Sequence, residues 1–205
     1  MGHKEQLLEA AKRCLYEIGY AHITARDLVA ASGTNLASIG YHYGSKDALL
    51  NAAMISATVD WGEQLGQALA ASAADEGAAA EGSGGDRLER LWSRVLDLFA
   101  AHRPVLVANF EAFPHAERSA ELRRQLAVGQ EEARRALAAM VLDVEEDALD
   151  EPTVREVGSV VLAMLTGLMV QWLVAPEKTP SARRLADGLR RLAAVPGGGD
   201  ERSAE

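Results

Sequence analysis

Residues 24–50, reading TARDLVAASGTNLASIGYHYGSKDALL, constrain this chain more than any other stretch. Thr24 has the side chain of a helix N-cap, and Asp27 stands where a capping box needs its return partner. Leu28 and Val29 give the helix that follows an apolar face, and Gly33 supplies the left-handed residue that ends it. A second helix starts from Thr34 or Asn35 and stops at Gly44. It carries Ser38, Tyr41, His42 and Tyr43, an unusual outward set for so short a piece. Ser45 caps a third helix, with Lys46 in its first turn. Two short helices joined through a glycine turn match the helix-turn-helix of DNA-binding proteins. The first helix braces, and the second has the width of a major groove. The plainer reading is a helical hairpin in an all-helical core, but buried hairpins rarely present Tyr-His-Tyr ahead of Gly-Ser-Lys.

The rest of the chain reads as helix throughout. Its 205 residues are 48% hydrophobic and only 5% aromatic, a composition for packed helices in one sizeable domain or two small ones. Over residues 4–18, Leu7, Leu8, Ala11, Cys14, Leu15 and Ile18 recur at helical spacing. Gly19 ends that helix, and Tyr20 and Ile23 pack the crossing into the next. Beyond Ser45 the pattern continues through Leu49, Leu50, Met54, Ile55, Val59, Trp61, Leu65 and Leu69, predicting one helix of about 25 residues. Residues 73–85 (AADEGAAAEGSGG) are low in complexity and predict a flexible loop. Asp86 then caps a helix whose apolar face is Leu88, Leu91, Trp92, Val95, Leu96 and Phe99.

Pro104 opens a short apolar helix that Pro114 is expected to end. A long amphipathic helix follows over 118–142, and an acidic connection leads to Pro152. Residues 157–174 carry no charge and reach the length of a membrane span. Ser159, Thr166, Gln171, two glycines and the lack of any flanking cluster of Lys or Arg favour instead the central, fully buried helix of a bundle. Ser181 caps a last helix with Leu185, Leu189 and Leu192 on its apolar row, and residues 196–205 read as a disordered tail. The expectation is an all-α protein of about nine helices. A helix-turn-helix domain spans 1–50, and a helical body for ligand binding and dimerisation spans 51–195.

The formal net charge is −9, which argues against DNA until it is divided. Residues 1–50 hold five Lys/Arg and five Asp/Glu, so the entire −9 lies beyond them. Screening over roughly 8 Å at physiological salt keeps that distant charge from repelling phosphates strongly. A neutral head permits DNA binding without predicting it. One cysteine, Cys14, excludes an internal disulfide and fits a reducing cytoplasm. The charged, amphipathic N-terminus does not read as a secretory signal.

The motifs T-A-R-D-L, A-A-S-G-T-N and Y-H-Y-G-S-K-D-A-L-L, with a divergent helical body behind them, resemble the TetR family of bacterial transcriptional regulators. The resemblance is specific over residues 5–54 and architectural beyond. It implies a homodimer through the helices at about 153–174 and 181–194. It implies a near-palindromic operator of double-stranded DNA, repression, and release by a small molecule in the body. It places DNA contacts at Thr24, Arg26, Leu36, Ala37, Ser38, Tyr41, His42 and Lys46. Two departures stand out. Gly40 replaces an aromatic that many members carry, and Leu36 replaces the polar group of some, so the operator sequence does not carry over.

Ser38, Tyr41 and His42 are the leading candidates for the DNA face, with Tyr43 expected to pack into the core of the head. Arg26 and Lys46 sit in first helical turns, where backbone N–H groups also attract phosphate. Trp92, Phe99, Asn109, Phe110, Glu111, Phe113, Met140, Met164, Met169 and Trp172 are the candidates for an apolar ligand cavity. Aromatic and Met residues at helical spacing are more often plain core. A buried polar group needs a partner, so Asn109, Glu111 and Gln171 are the informative exceptions. A carboxylate in such a cavity would suit a lipophilic cation. No metal set, phosphate loop or nucleophile triad is present, so neither an enzyme nor a cofactor is expected. The competing reading is a helical adaptor whose hairpin binds protein rather than DNA.

Overall fold

The computed structural model describes the backbone of residues 2–76 and 84–195, with side chains over 2–67 and 87–195. Among these residues there are nine α-helices and no strand. Helix α1 (His3–Glu17) buries Leu7, Ala10, Ala11, Cys14 and Leu15 and gives way to Gly19, whose φ of 80° turns the chain. Helices α2 (Ala25–Ser32) and α3 (Leu36–Tyr43) are capped by Thr24 and Asn35 and closed by Gly33 (φ 66°) and Gly44 (φ 79°). Ser45 Oγ accepts the Ala48 amide at 3.0 Å and starts α4 (Lys46–Glu76). These caps stand where the sequence places them.

Three boundaries differ. Helix α4 runs past Leu69 to Glu76, and α5 (Gly84–Ala101) begins before Asp86. Residues 73–76 and 84–85 of the expected loop are therefore helical, because alanine favours helix even in low-complexity company. The remainder of that loop, 77–83, and the expected tail, 196–205, lie outside the described residues. Helix α6 (Arg103–Ala116) passes through Pro114 instead of ending at it. The proline forfeits its own N–H bond, but burial of Ala112 and Ala116 carries the helix one more half-turn.

Helix α7 (Ala120–Leu142) starts from Ser119 and ends on left-handed Asp143. Asp150 then caps α8 (Glu151–Val174), which contains a π-turn over Val154–Gly158. Helix α9 (Ala182–Ala193) starts from Ser181 and packs along α5. At the crossing of α7 and α8, a Cβ on Gly158 would lie 2.2 Å from the Arg134 carbonyl oxygen. Only glycine lets the helices approach so closely.

Apolar burial forms two clusters. One joins Leu7, Leu15, Leu28, Ile39, Leu49 and Leu50 of the head to Met54 of α4, Ala112 and Ala116 of α6 and Leu122 of α7. The other fills the body around Trp61, Trp92, Phe99, Leu106, Leu137, Leu165 and Leu168. Only one side of residues 157–174 joins the second cluster, which corrects the expectation of a fully buried helix. Helix α8 is long and apolar enough to cross a membrane, yet only 28% of its apolar window is buried within the chain. It therefore lies at the side of the bundle, not at its centre. Val160 (58% exposed), Ala163, Gly167, Val170 and Val174 (80% exposed) form one uncovered apolar row.

Candidate nucleic-acid interface and ligand cavity

The outer face of α3 is set by helical spacing. Leu36, Ala37, Gly40 and Tyr41 point away from the core, with Leu36 58% and Tyr41 86% exposed. His42 is half-buried and meets Tyr41 edge-on, ring centroids 4.8 Å apart. Ser38 is not on this face. Its side chain is 9% exposed, and both its amide (3.0 Å) and its hydroxyl (3.2 Å) donate to Asn35 Oδ1. The serine closes the N-cap of α3, because it stands three residues after Asn35 on the inner side of the first turn. Tyr43 turns inward as expected, its hydroxyl donating to the Lys4 carbonyl at 2.8 Å.

The cations of the head are largely engaged. Lys46 Nζ donates to the Ile23 carbonyl at 3.1 Å and lies 3.6 Å from Asp47, tying α4 to the entry of α2 instead of reaching outward. Arg13 donates to the Ala31 carbonyl at 2.7 Å, bracing α1 on α2. Lys12 bridges to Asp60 of α4 at 2.7 Å and to Glu9 at 2.8 Å. Burial works against its charge, but these carboxylates outweigh burial and hold the ammonium above its usual value. Arg26 remains exposed at the start of α2. Beside it, the Thr24 amide and hydroxyl both donate to Asp27 Oδ2 at 2.7 Å, and the Asp27 amide returns a bond at 3.3 Å. The two bonds to the carboxylate, the hydroxyl's first and then the amide's, hold the Asp27 carboxyl below its usual range. The Cys14 thiol is buried in the head, and burial pushes its pKa up, so it is a packing residue.

The body contains a cavity of about 1730 Å³ between α4, α5, α6, α7 and α8. Among the expected ligand residues, Asn109, Phe110, Phe113, Met140 and Met169 line it. Phe110 and Phe113 form a tilted ring pair with centroids 6.0 Å apart. The other five are elsewhere. Phe99 is fully buried between Trp61 and Trp172, in the packed core. Trp92 and Met164 line a separate apolar cleft of about 310 Å³ beside Leu189 of α9. Glu111 faces the head, where its carboxylate accepts the Tyr20 amide at 3.0 Å. The helical period explains the split on α6: residues 109, 110 and 113 share one face, while 111 and 115 share another.

Sequence reading assigned Trp61, Thr58 and Thr166 to no site, yet all three line the cavity. The two threonines are the available signal, as hydroxyls in otherwise apolar helical rows. Each donates to the carbonyl four residues back, at 3.0 Å and 2.9 Å, leaving its oxygen able to accept from a ligand. Val59, Phe113 and Val128 are exposed where the cavity opens to solvent. Glu63, Glu131, Glu132 and Glu151 lie along its lining together with Arg87, Arg135 and Arg155. Glu151 pairs with Arg135 at 3.2 Å and with Arg155 at 3.1 Å, and Arg87 with Asp143 at 3.1 Å. No cluster of potential metal ligands occurs among the described residues.

Comparison with known proteins agrees with this geometry. Residues 7–53 match the family model described as bacterial regulatory proteins, tetR family. Residues 85–196, more than half the chain, match that of the BetI-type transcriptional repressor, C-terminal. No curated protein matches the sequence. Among solved structures, the multidrug binding protein EbrR, complexed with imidazole, superposes with a TM-score of 0.62 at 23% identity, covering 97% of this chain and 98% of that one. A protein of Streptomyces coelicolor A3(2) described as a transcriptional regulator gives 0.66 at 21% identity, covering 94% and 99%. A regulator from Saccharomonospora viridis in complex with choline gives 0.61 at 18% identity, covering 92% and 94%. The chain belongs to the TetR family of bacterial transcriptional regulators.

Proposed function

We propose that this regulator is a cytoplasmic repressor. It binds a near-palindromic operator as a homodimer and leaves it when a small apolar or cationic effector fills the body cavity. The observation that carries the reading is α4. Only Gly44 and Ser45 separate it from the reading helix, and its Ile55, Thr58, Val59 and Trp61 line the cavity. A ligand that shifts α4 therefore acts on the base of α3.

On DNA, Leu36, Ala37 and Tyr41 would enter the groove, where apolar contacts can read thymine methyls. Arg26 and the helix N-termini would hold phosphate. The head cannot rely on a basic surface, since Lys12, Arg13 and Lys46 are engaged internally. Two heads on one operator supply the missing affinity, and the uncovered row of α8, continued by α9, is the surface for joining them. Cation preference has support in the Phe110–Phe113 and Trp61 rings, whose faces attract positive charge. Carboxylates on the lining would draw a cation inward. The choline and imidazole complexes of the structural neighbours are in keeping with such a ligand. Because Glu111 turns toward the head, the preference would rest on aromatic faces and lining carboxylates, not on a buried acid.

The test is a gel-shift titration with the DNA upstream of the regulator's own gene, repeated at several salt concentrations and with quaternary ammonium compounds added. A specific, salt-sensitive complex is expected. Tyr41→Ala should weaken it by about 1–3 kcal/mol without changing the melting temperature, as the ring is almost fully solvated. Binding to no DNA at any salt would favour the adaptor reading instead.

A further inference from the structure

The cavity and the reading head meet on α6, and the residue at that meeting is Glu111. Its carboxylate Oε2 accepts the Tyr20 amide at 3.0 Å, a hydrogen bond strengthened by the acceptor's charge. The approach depends on Gly19. At φ 80° that residue suits glycine alone, and a Cβ there would stand 3.3 Å from Glu111 Oε1. One turn further along α6, His115 lies against the Tyr20 ring with centroids 3.6 Å apart. Gly19 and Tyr20 are the link between α1 and α2, and the short turn they open ends at Ile23, whose carbonyl holds Lys46. A carboxylate on the body thus grips the backbone at the root of the helix-turn-helix.

The head has a second polar attachment to the body, Lys12 to Asp60 on α4. Helices α4 and α6 both wall the cavity. A body that holds the head at two points, one on each wall, fixes its orientation. A ligand that moves one wall relative to the other must turn the head. We infer that Glu111 is a positioning residue for DNA binding: through Tyr20 it sets the angle at which the recognition helix is presented. This rests on the DNA-binding reading but not on the identity of the effector.

The experiment measures the angle directly. Full-length protein in a Cys14→Ala background carries spin labels at Ala37→Cys on the recognition helix and Ala127→Cys on α7. It is diluted with unlabelled protein so that only distances within one chain are read. A narrow distance distribution is expected, which Glu111→Ala should broaden or shift, while Glu111→Gln should keep it because its amide oxygen still accepts from Tyr20. Operator affinity should fall about tenfold in Glu111→Ala and recover in large part in Glu111→Gln, whose neutral amide oxygen still accepts from Tyr20. Glu111→Asp, which keeps the charge but shortens the reach, takes the place of Glu111→Ala if that variant does not fold. An unchanged distribution in the folded Ala or Asp variant overturns the inference, even if its melting temperature drops. If the wild type binds no DNA, the DNA reading fails, and the distances still decide the role of Glu111.

Discussion

Asn35 Oδ1 takes two hydrogen bonds from Ser38, one from its amide and one from its hydroxyl, and this pairing decides what α3 can offer to DNA. A serine at that spacing from an N-cap suits both a groove and a cap, and the sequence does not choose. The same holds for Lys46 and Glu111, whose side chains reach partners 23 and 91 residues away. Residue types at caps and turns were legible because their effect is local: Thr24, Gly33, Asn35, Gly44, Ser45 and Ser181 each act within their own turn. The aim of a long polar side chain depends on tertiary neighbours and was not. Gly40 is a test at this scale. It sits inside α3 with nothing within 4 Å of an added Cβ. Glycine in a helix interior costs about 0.5–1 kcal/mol relative to alanine, so Gly40→Ala should raise stability by that amount in a thermal melt. If operator affinity falls in the same variant, DNA comes against the bare Cα.

At the scale of elements, periodicity together with caps and glycine turns located the nine helices of the described residues, and the errors gather where composition and packing disagree. Residues 73–76 and 84–85 looked like loop from their simplicity and are helix. Pro114 looked like a stop and is carried through by the alanines beneath it. Helix α8 looked central because it is apolar on every side, a property shared by buried helices and by helices with a face awaiting a partner. Its π-turn was not legible at all. That turn shares the crossing with α7, where the bare Cα of Gly158 sits under the Arg134 carbonyl. Gly158→Ala would drive a methyl into backbone that has no rotamer to yield. Overpacking of this kind costs about 1–3 kcal/mol. A lowered urea midpoint should show it, with the cavity lining at Val154 and Arg155 disturbed at the same time.

For the molecule as a whole, the uncovered row of α8 is where assembly should be probed. Ala163 lies in the middle of that row, exposed and clear of the body core. Ala163→Arg should leave the monomer folded by circular dichroism, abolish the dimer in sedimentation velocity, and remove the specific gel-shifted complex. A dimer that survives the substitution would move the interface elsewhere. The family and its two-part layout were legible from the motifs of residues 24–50. Half of the expected ligand residues line the cavity, and the other five were misassigned because which face of α5, α6 and α8 turns toward the cavity is set by tertiary packing. The apolar cluster that crosses residue 50 was likewise hidden, since Ala112, Ala116 and Leu122 reach it only through the fold. That shared cluster bears on protein engineering. Sensors are readily imagined as interchangeable modules, with one regulator's reader grafted onto another's receptor. Here a splice just after residue 50 would expose Leu49 and Leu50 on one fragment and strand Ala112 and Leu122 on the other. A working hybrid would have to inherit the end of α6 and the start of α7 together with the reader, or redesign both sides of the seam.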